Sequence, residues 1–281
     1  RRPLVFSFNG YDVYTNPPPS SGGTLMAFIL KLFATHGLEA MKFGDHRHIS
    51  VLADAMRLTD KAREEAFDGK QYRHGIADSF LNDHFNLYDP VFRQHALKVG
   101  TTTHITVADG LGNIACTTTS HGEGCGYIIP GTDIMLNNML GEEDLNPGGF
   151  HRWPPSSRIT SMMAPTIAVR EGKPVIATGT GGANRIRTAV AQVLINYLYF
   201  GMPIEDAVSK PRFHWHERIL DIEPGFWPSE LERTEVPETD KKVVWQKKAM
   251  YFGGNHSIGF DREGTPAGAG DPRRSGIVME C

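Results

Sequence analysis

Polar and apolar positions alternate most regularly between positions 100 and 126. The segment 103–107 reads THITV, the segment 114–118 reads IACTT, and a turn composition, DGLGN, lies between them at 109–113. That pattern predicts a β-hairpin. Its first strand opens on three threonines, Thr101, Thr102 and Thr103, between Gly100 and His104. Strand propensity alone favours Thr. A chain break beside one of these threonines would instead set a free α-amine next to a hydroxyl, a nucleophile that carries its own base.

Elsewhere the patterning predicts strands and helices in mixed order. Residues 4–14 read as two strands around a turn at Gly10. PPPSSGG at 17–23 reads as a rigid connector or as the wall of a substrate pocket. Thr24 is suited to cap a helix over 25–33 that ends near Gly37, and a rough apolar face predicts a second helix over 50–67. No element is assigned to 68–100. IMLNN at 134–138 is a short strand, and the Pro- and Gly-rich stretch 141–155 is a loop long enough to be functional. A second hairpin is expected from 164–169 and 174–178, running into a Gly-rich turn, GTGGANR at 179–185, and an apolar helix over 186–200. Open N–H groups at a helix start suit a phosphate or the oxyanion of acyl transfer. The turn lacks both the Lys-Ser/Thr of a P-loop and the spacing of a dinucleotide fingerprint. A short helix over 204–209 stops at Pro211, strands are expected at 218–222 and 257–260, and 267–273 closes the chain in turns.

With 281 residues, 40% hydrophobic and 22% charged, the chain reads as globular, one large domain or two small ones. A net charge of -3 gives no reason to expect nucleic acid or an acidic membrane as partner. The longest apolar run, around 25–33, is interrupted by Lys31, so no membrane-spanning segment is expected. Cys116, Cys125 and Cys281 are too few for a disulfide framework and lack metal-site spacing; Cys116 and Cys125 are expected as buried free thiols, with a bond between them as the alternative. His46 and His48 alternate as on a strand or loop, as do His214 and His216, while His74, His84 and His95 are scattered. Neither pair has a Cys or carboxylate cluster beside it, so no metal site is expected. The opening Arg1-Arg2-Pro3 carries no Met and no signal peptide, as expected of a processed chain or part of a longer one, and the compartment stays open.

Seven motifs then occur in order: PPPSSGG at 17–23, TTH at 102–104, LNN at 136–138, APTI at 164–167, GTGGANRI at 179–186, KPRFH at 210–214 and GAGDPR at 268–273. Together they resemble the γ-glutamyltransferase (γ-glutamyltranspeptidase) family of N-terminal-nucleophile hydrolases, over nearly the whole chain and most weakly at 68–100. The resemblance implies an α+β fold, a four-layer αββα sandwich of the N-terminal-nucleophile hydrolase type. It implies that 1–101 is the C-terminal part of a large-subunit region and 102–281 the small, catalytic one, together forming one globular domain. It also implies self-cleavage between Thr101 and Thr102, with Thr102 as nucleophile and its new α-amine as base. An acyl-enzyme formed from a γ-glutamyl amide is then resolved by water or an amine, giving hydrolysis or transpeptidation. Thr101 is the alternative nucleophile if the motif is read one residue out of register. Ser120 orients the nucleophile by direct count, with Thr118 as the alternative. Gly182 and Ala183 hold the oxyanion, and Gly181 is able to shift into that place.

The substrate-gripping positions depart from the family pattern. Two adjacent serines for the glutamyl α-carboxylate correspond to Ser161 and Met162. For the α-ammonium, LNN supplies Asn138, the following Gln is absent, Glu142 is the acidic candidate, and a family Asn falls on Gly122. The Arg that pairs with the carboxylate belongs to a missing N-terminal part of the large subunit, the expected protein partner. The implied substrate is a small γ-glutamyl or similar amide, with cephalosporin or glutaryl acylases and poly-γ-glutamate depolymerases as alternatives. No metal or organic cofactor is implied, and a homo-oligomer is left open. A different class, a non-catalytic fragment or pseudoenzyme of the same fold, is told apart by whether the chain stays in one piece.

Overall fold

Alternating burial over the first fifteen residues produces a hairpin. Strands β1 (Leu4–Phe8) and β2 (Tyr11–Thr15) pair antiparallel, with Leu4, Phe8 and Val13 buried and Gly10 turning at φ 80°. The computed structural model describes residues 1–35, 41–83, 102–146 and 148–280. Thr101 and the bond before Thr102, Gly37, His84, His95 and Cys281 lie outside those residues.

Helix α1 (Ser21–Ala34) starts earlier than its expected Thr24 cap, because a distant carbonyl takes its first N–H groups. Ser161 O accepts from Ser21 N at 2.9 Å and from Gly22 N at 3.3 Å. Helix α2 (His46–Ala62) also starts earlier than expected, since the Asp45 side chain caps it by accepting from His48 N at 2.7 Å. It continues through a π-turn at Arg63–Phe67. His46 and His48 are therefore helical, which corrects the strand-or-loop expectation. Helix α3 (Ile76–Asn82) falls in the stretch left without an element.

The expected central hairpin is β3 (Thr102–Ala108) and β4 (Ile114–Ser120), followed by the two-residue strands β5 (Ile128–Ile129) and β6 (Ile134–Met135). Strands β7 (Thr166–Arg170) and β8 (Lys173–Gly181) form the second expected hairpin. Of the Gly-rich stretch read as a turn, Gly179, Thr180 and Gly181 belong to β8. Then come α4 (Ile186–Leu194), with a π-turn at Ile195–Tyr199, and α5 (Ile204–Ser209). Strands β9 (Phe213–His216) and β10 (Ile219–Ile222) precede α6 (Pro228–Arg233) and β11 (Lys241–Val244). The last strands are β12 (Gly254–Phe260) and β13 (Pro266–Gly270), the latter lying where turns were expected.

Six strands make one antiparallel sheet in the order β1-β2-β7-β8-β12-β13. The alternation of β8 gives each face a different job. Toward the helices it presents Thr178 and Thr180; their neighbour Thr166 reaches Met26 of α1, and Thr180 lies beside Ala189 of α4 across Gly253. Toward the central hairpin it presents Ala177, Gly179 and Gly181. A Cβ at Gly179 would lie 2.3 Å from His104 Cε1, and one at Gly181 would lie 2.3 Å from Thr102 O. Only glycine allows the hairpin to come this close. Helices, the large sheet and the β3–β4 sheet thus form successive layers of an α+β fold, while a second helical layer beyond the hairpin is not among the described residues. Among the described residues no helix is long and apolar enough to cross a membrane.

Candidate active site

The hairpin register decides which hydroxyl faces Thr102. Thr102 and Ser120 are cross-strand partners, and their Oγ atoms are 2.9 Å apart. Ser120 Oγ also accepts from Gly122 N at 2.9 Å, which fixes its rotamer beside the threonine. Thr102 is 7% exposed. Thr118 lies two pairs further along, opposite His104, and bonds His104 Nδ1 at 2.8 Å instead. Of the two orienting candidates, Ser120 is the one at Thr102.

His104 anchors this strand from below. Its Nε2 lies 3.0 Å from Thr106 Oγ1, which itself donates to His256 O. The Thr106 hydroxyl has one hydrogen, so His104 donates from Nε2 and accepts from Thr118 at Nδ1. Burial, aided by the nearby His256, pushes His104 down to about 3, so the ring is neutral.

Beyond Ser120 the chain folds back on Gly122. Asn138 N donates to His121 O at 2.8 Å. A Cβ at Gly122 would lie 2.9 Å from Glu142 Oε1 and 3.1 Å from the Asn138 carbonyl carbon. Asn138, Glu142 and Gly122 are thus brought together beside Ser120. The adjoining loop lines an open pocket of about 180 Å³ between Tyr72 and Trp153. Its wall is tied to the same segment: Asn146 donates to Glu142 O at 2.6 Å and accepts from Trp153 Nε1 at 2.7 Å.

Ser161 and Met162 lie at the start of α1 rather than on the hairpin. Ser161 Oγ is 3.3 Å from Ser20 Oγ, and Thr160 Oγ1 is 2.8 Å from Ser21 Oγ, so the Ser-Ser-Gly-Gly segment and this loop are knitted together. The Met162 side chain is 3% exposed and belongs to the core, which leaves none of it for a ligand. Gly182 (φ 139°) and Ala183 (φ 49°) follow Gly181, the residue under the Thr102 carbonyl. A positive φ at Ala183 is strained for an L-residue and marks a backbone held in place by its surroundings.

Two of the motifs meet in a buried charge network. Arg212 Nη2 reaches Asp271 Oδ2 at 2.6 Å, and Arg273 grips Glu223 through Nε at 2.8 Å and Nη2 at 2.5 Å. Burial pushes the Asp271 carboxyl up, but Arg212 and Arg273 outweigh it and hold it below the usual carboxylate range. The network locks the turn that ends in Arg274, whose Nη1 donates to Thr102 O at 3.4 Å. Sequence reading missed Arg274; the only signal was the second Arg directly after the GAGDPR motif.

Among the described residues no group of three or more His, Cys, Asp or Glu could hold a metal ion. Cys116 and Cys125 are free thiols, but Cys125 is exposed rather than buried. Burial pushes the half-buried Cys116 up to about 11, which keeps it a thiol.

The family model described as Gamma-glutamyltranspeptidase matches residues 1–281. The chain is 31% identical over 305 aligned positions to the glutathione hydrolase proenzyme of Escherichia coli (strain K12), covering 97% of this chain and 51% of that protein. Among solved structures, gamma-glutamyltranspeptidase from Pseudomonas nitroreducens complexed with L-DON matches at 25% identity and TM-score 0.53, over 64% of this chain and 99% of that one. The cephalosporin acylase from Bacillus halodurans matches at TM-score 0.74 and 21% identity, over 99% of this chain and 52% of that one, a likeness of fold. This chain spans about half the length of the curated relatives it matches.

Proposed function

The chain belongs to the gamma-glutamyltranspeptidase family, and from that premise we propose that Thr102 is the nucleophile of an amidohydrolase or acyltransferase. The observation that carries the reading is the Thr102–Ser120 hydroxyl pair at 2.9 Å, held at the start of a strand that lies against Gly181. In the precursor, Thr102 Oγ attacks the Thr101 carbonyl carbon, the peptide bond becomes an ester, and water hydrolyses it. The products are a carboxylate at Thr101 and a free amine on Thr102. Residues 102–281 are 180 of the 281, or 64% of the chain, and the solved Pseudomonas chain is matched over a share of that same size, which supports a subunit boundary here.

In turnover the Thr102 amine takes the hydroxyl proton as Oγ bonds to the acyl carbon of the donor amide. The C–N bond breaks and the amine product leaves with that proton. Water or an acceptor amine then adds to the ester carbon, the C–Oγ bond breaks, and the proton returns to Thr102. Ser120 orients the nucleophile, and the amides of Gly182 and Ala183 stabilise the oxyanion. Asn138 and Glu142 receive the donor's α-ammonium, and Ser161 its α-carboxylate. A further polypeptide, corresponding to the other half of the relatives' length, completes the pocket.

A second reading concerns the donor. Met162 offers no side chain to a carboxylate and Gly122 has none to offer an ammonium. An acyl group other than γ-glutamyl, as in the related acylases, fits those two positions better than glutathione does.

The test is intact mass and N-terminal sequencing of the encoded full-length protein, beside Thr102→Ala. The expected result is a fragment beginning Thr-Thr-His, with cleavage abolished and amide turnover reduced by roughly 10³-fold or more in the variant. An uncut, fully active Thr102→Ala protein would overturn the reading.

A further inference from the structure

Gly181 and Gly254 are direct cross-strand partners on β8 and β12. Both lack a side chain on the face turned to the hairpin, and each is covered by something specific. The Thr102 carbonyl lies on Gly181, and the aliphatic stem of Arg274 lies on Gly254, where a Cβ would come within 2.6–2.7 Å of the Arg274 Cβ, Cγ and Cδ. The two glycines thus form one trough that lays the arginine alongside the threonine. From there Arg274 Nη1 donates to Thr102 O at 3.4 Å. The arginine's own placement is rigid. It ends a 3₁₀ turn, Pro272–Arg274, capped by Asp271, and Asp271 is fully buried between Arg212 and Arg273.

We propose that Arg274 is a positioning residue for Thr102: it clamps the threonine's carbonyl and so fixes the directions of its Oγ and its nitrogen. The inference rests on Thr102 being the nucleophile and deepens that reading. A carbonyl seated on Gly181 and bonded by Arg274 restricts rotation of the residue about its backbone, so the hydroxyl is kept aimed in the precursor and in the cleaved protein alike. The guanidinium contacts the carbonyl of the same residue whose nitrogen becomes the terminal amine. A fixed cation there disfavours the protonated amine and keeps it available as a base. The other charged and titratable groups around this point are Arg185 and Asp271 beside Arg274, His256 and His104 under the hairpin, and Glu142 across Gly122.

The test uses Arg274→Lys and Arg274→Gln in the encoded full-length protein, with Thr102→Ala in parallel. It reads precursor cleavage, kcat and KM on L-γ-glutamyl-4-nitroanilide, and the pH dependence of kcat/KM. Expected for Arg274→Gln are slower cleavage, a kcat lower by about 10- to 100-fold with KM little changed, and an acid limb moved up by about 0.5–2 pH units. Arg274→Lys keeps the cation and one donor, so it recovers most of the rate and leaves the limb in place. Wild-type cleavage, rate and pH profile in Arg274→Gln would overturn the clamp. So would equal losses in both variants with an unmoved limb, the mark of fold support alone. A fully active Thr102→Ala would instead sink the nucleophile assignment beneath it, which separates the two failures.

Discussion

On the helix side of the large sheet, α1 and α4 bury Leu25, Phe28, Val190 and Leu194 completely. On the hairpin side, β8 offers only Ala177, Gly179 and Gly181, and the hairpin turns Ile105 and Val107 outward, 52% and 57% exposed. The first face gains its stability from buried apolar area. The second gives up side-chain volume so that main chain can approach main chain, and a carbonyl, two hydroxyls and a guanidinium meet there. On the proposed reading, stability and chemistry are carried by opposite faces of one sheet, and substitutions on the two sides are expected to fail differently.

The largest effect belongs to the helix side. Phe28→Ala removes a ring with no exposure that packs against Phe80 at 4.6 Å between centroids, tilted by 38°. It is expected to cost about 3–5 kcal/mol in denaturant titration, while the cleavage rate of the folded fraction stays as in the wild type. A folded Phe28→Ala protein that no longer cleaves would break the division between the faces. Next comes Gly181→Ala, which sets a methyl 2.3 Å from the Thr102 carbonyl. About 1–3 kcal/mol of stability is expected to go, and cleavage and turnover with it. Gly110→Ala, in the hairpin turn with nothing within 4 Å, is the matched control and should leave both unchanged. If Gly181→Ala cleaves normally, close approach on this face is incidental.

Each face also buries a histidine, and the two respond to acid in the same direction. Burial pushes His48 down to about 4, against the opposing pull of Asp45, in a nest formed by Phe33, Phe43, Phe200 and Phe213. His104 falls to about 3. Both rings are neutral when folded, whereas an unfolded chain protonates them below about pH 6.5. Unfolding therefore takes up protons below that value. Stability is complete above it and is lost as the pH falls, by about 1.4 kcal/mol per unit for each ring. His48→Gln keeps an acceptor for Gly44 N, which bonds His48 Nδ1 at 3.1 Å. Its acid dependence between pH 6.5 and 4 should be shallower by one ring's share. An unchanged slope would mean that His48 is not neutral in the folded chain.

How legible the two faces were in the sequence follows from the same contrast. The apolar run of α1 is continuous and that of α4 has helical spacing, and both could be read off as helices. Ser120 is reached through the family resemblance, and its place opposite Thr102 follows from the hairpin register. The start of α2 could have been read too, since Asp45 three positions before His48 is an N-cap pattern that the two-apart histidines obscured. Strand β13 could not. Its sequence PAGAG looks like a turn, and what makes it a strand is pairing with β12 and the packing of Val278 and Gly276 against Gly268 and Gly270. The Gly181–Gly254 trough and Arg274 depend on strand register across 73 positions of chain, which no local pattern encodes.

The smallest expected effect concerns the outward side of the hairpin. Ile105 and Val107 share the face opposite His104, and β-branched apolar residues at alternating, half-exposed positions are what a strand shows when a further layer packs on it. The chain spans about half the length of the curated relatives it matches, so a covering polypeptide is available in a protein of their size. Substituting Ile105→Thr and Val107→Thr in the encoded full-length protein is expected to cost about 1 kcal/mol each. Residues that face water there would change stability by no more than about 0.5 kcal/mol. Denaturant midpoints of the two variants decide between these values. A shift in that smaller range would mean that the hairpin is the outermost layer, and that the contrast between the faces lies in how each is packed rather than in how much of each is covered.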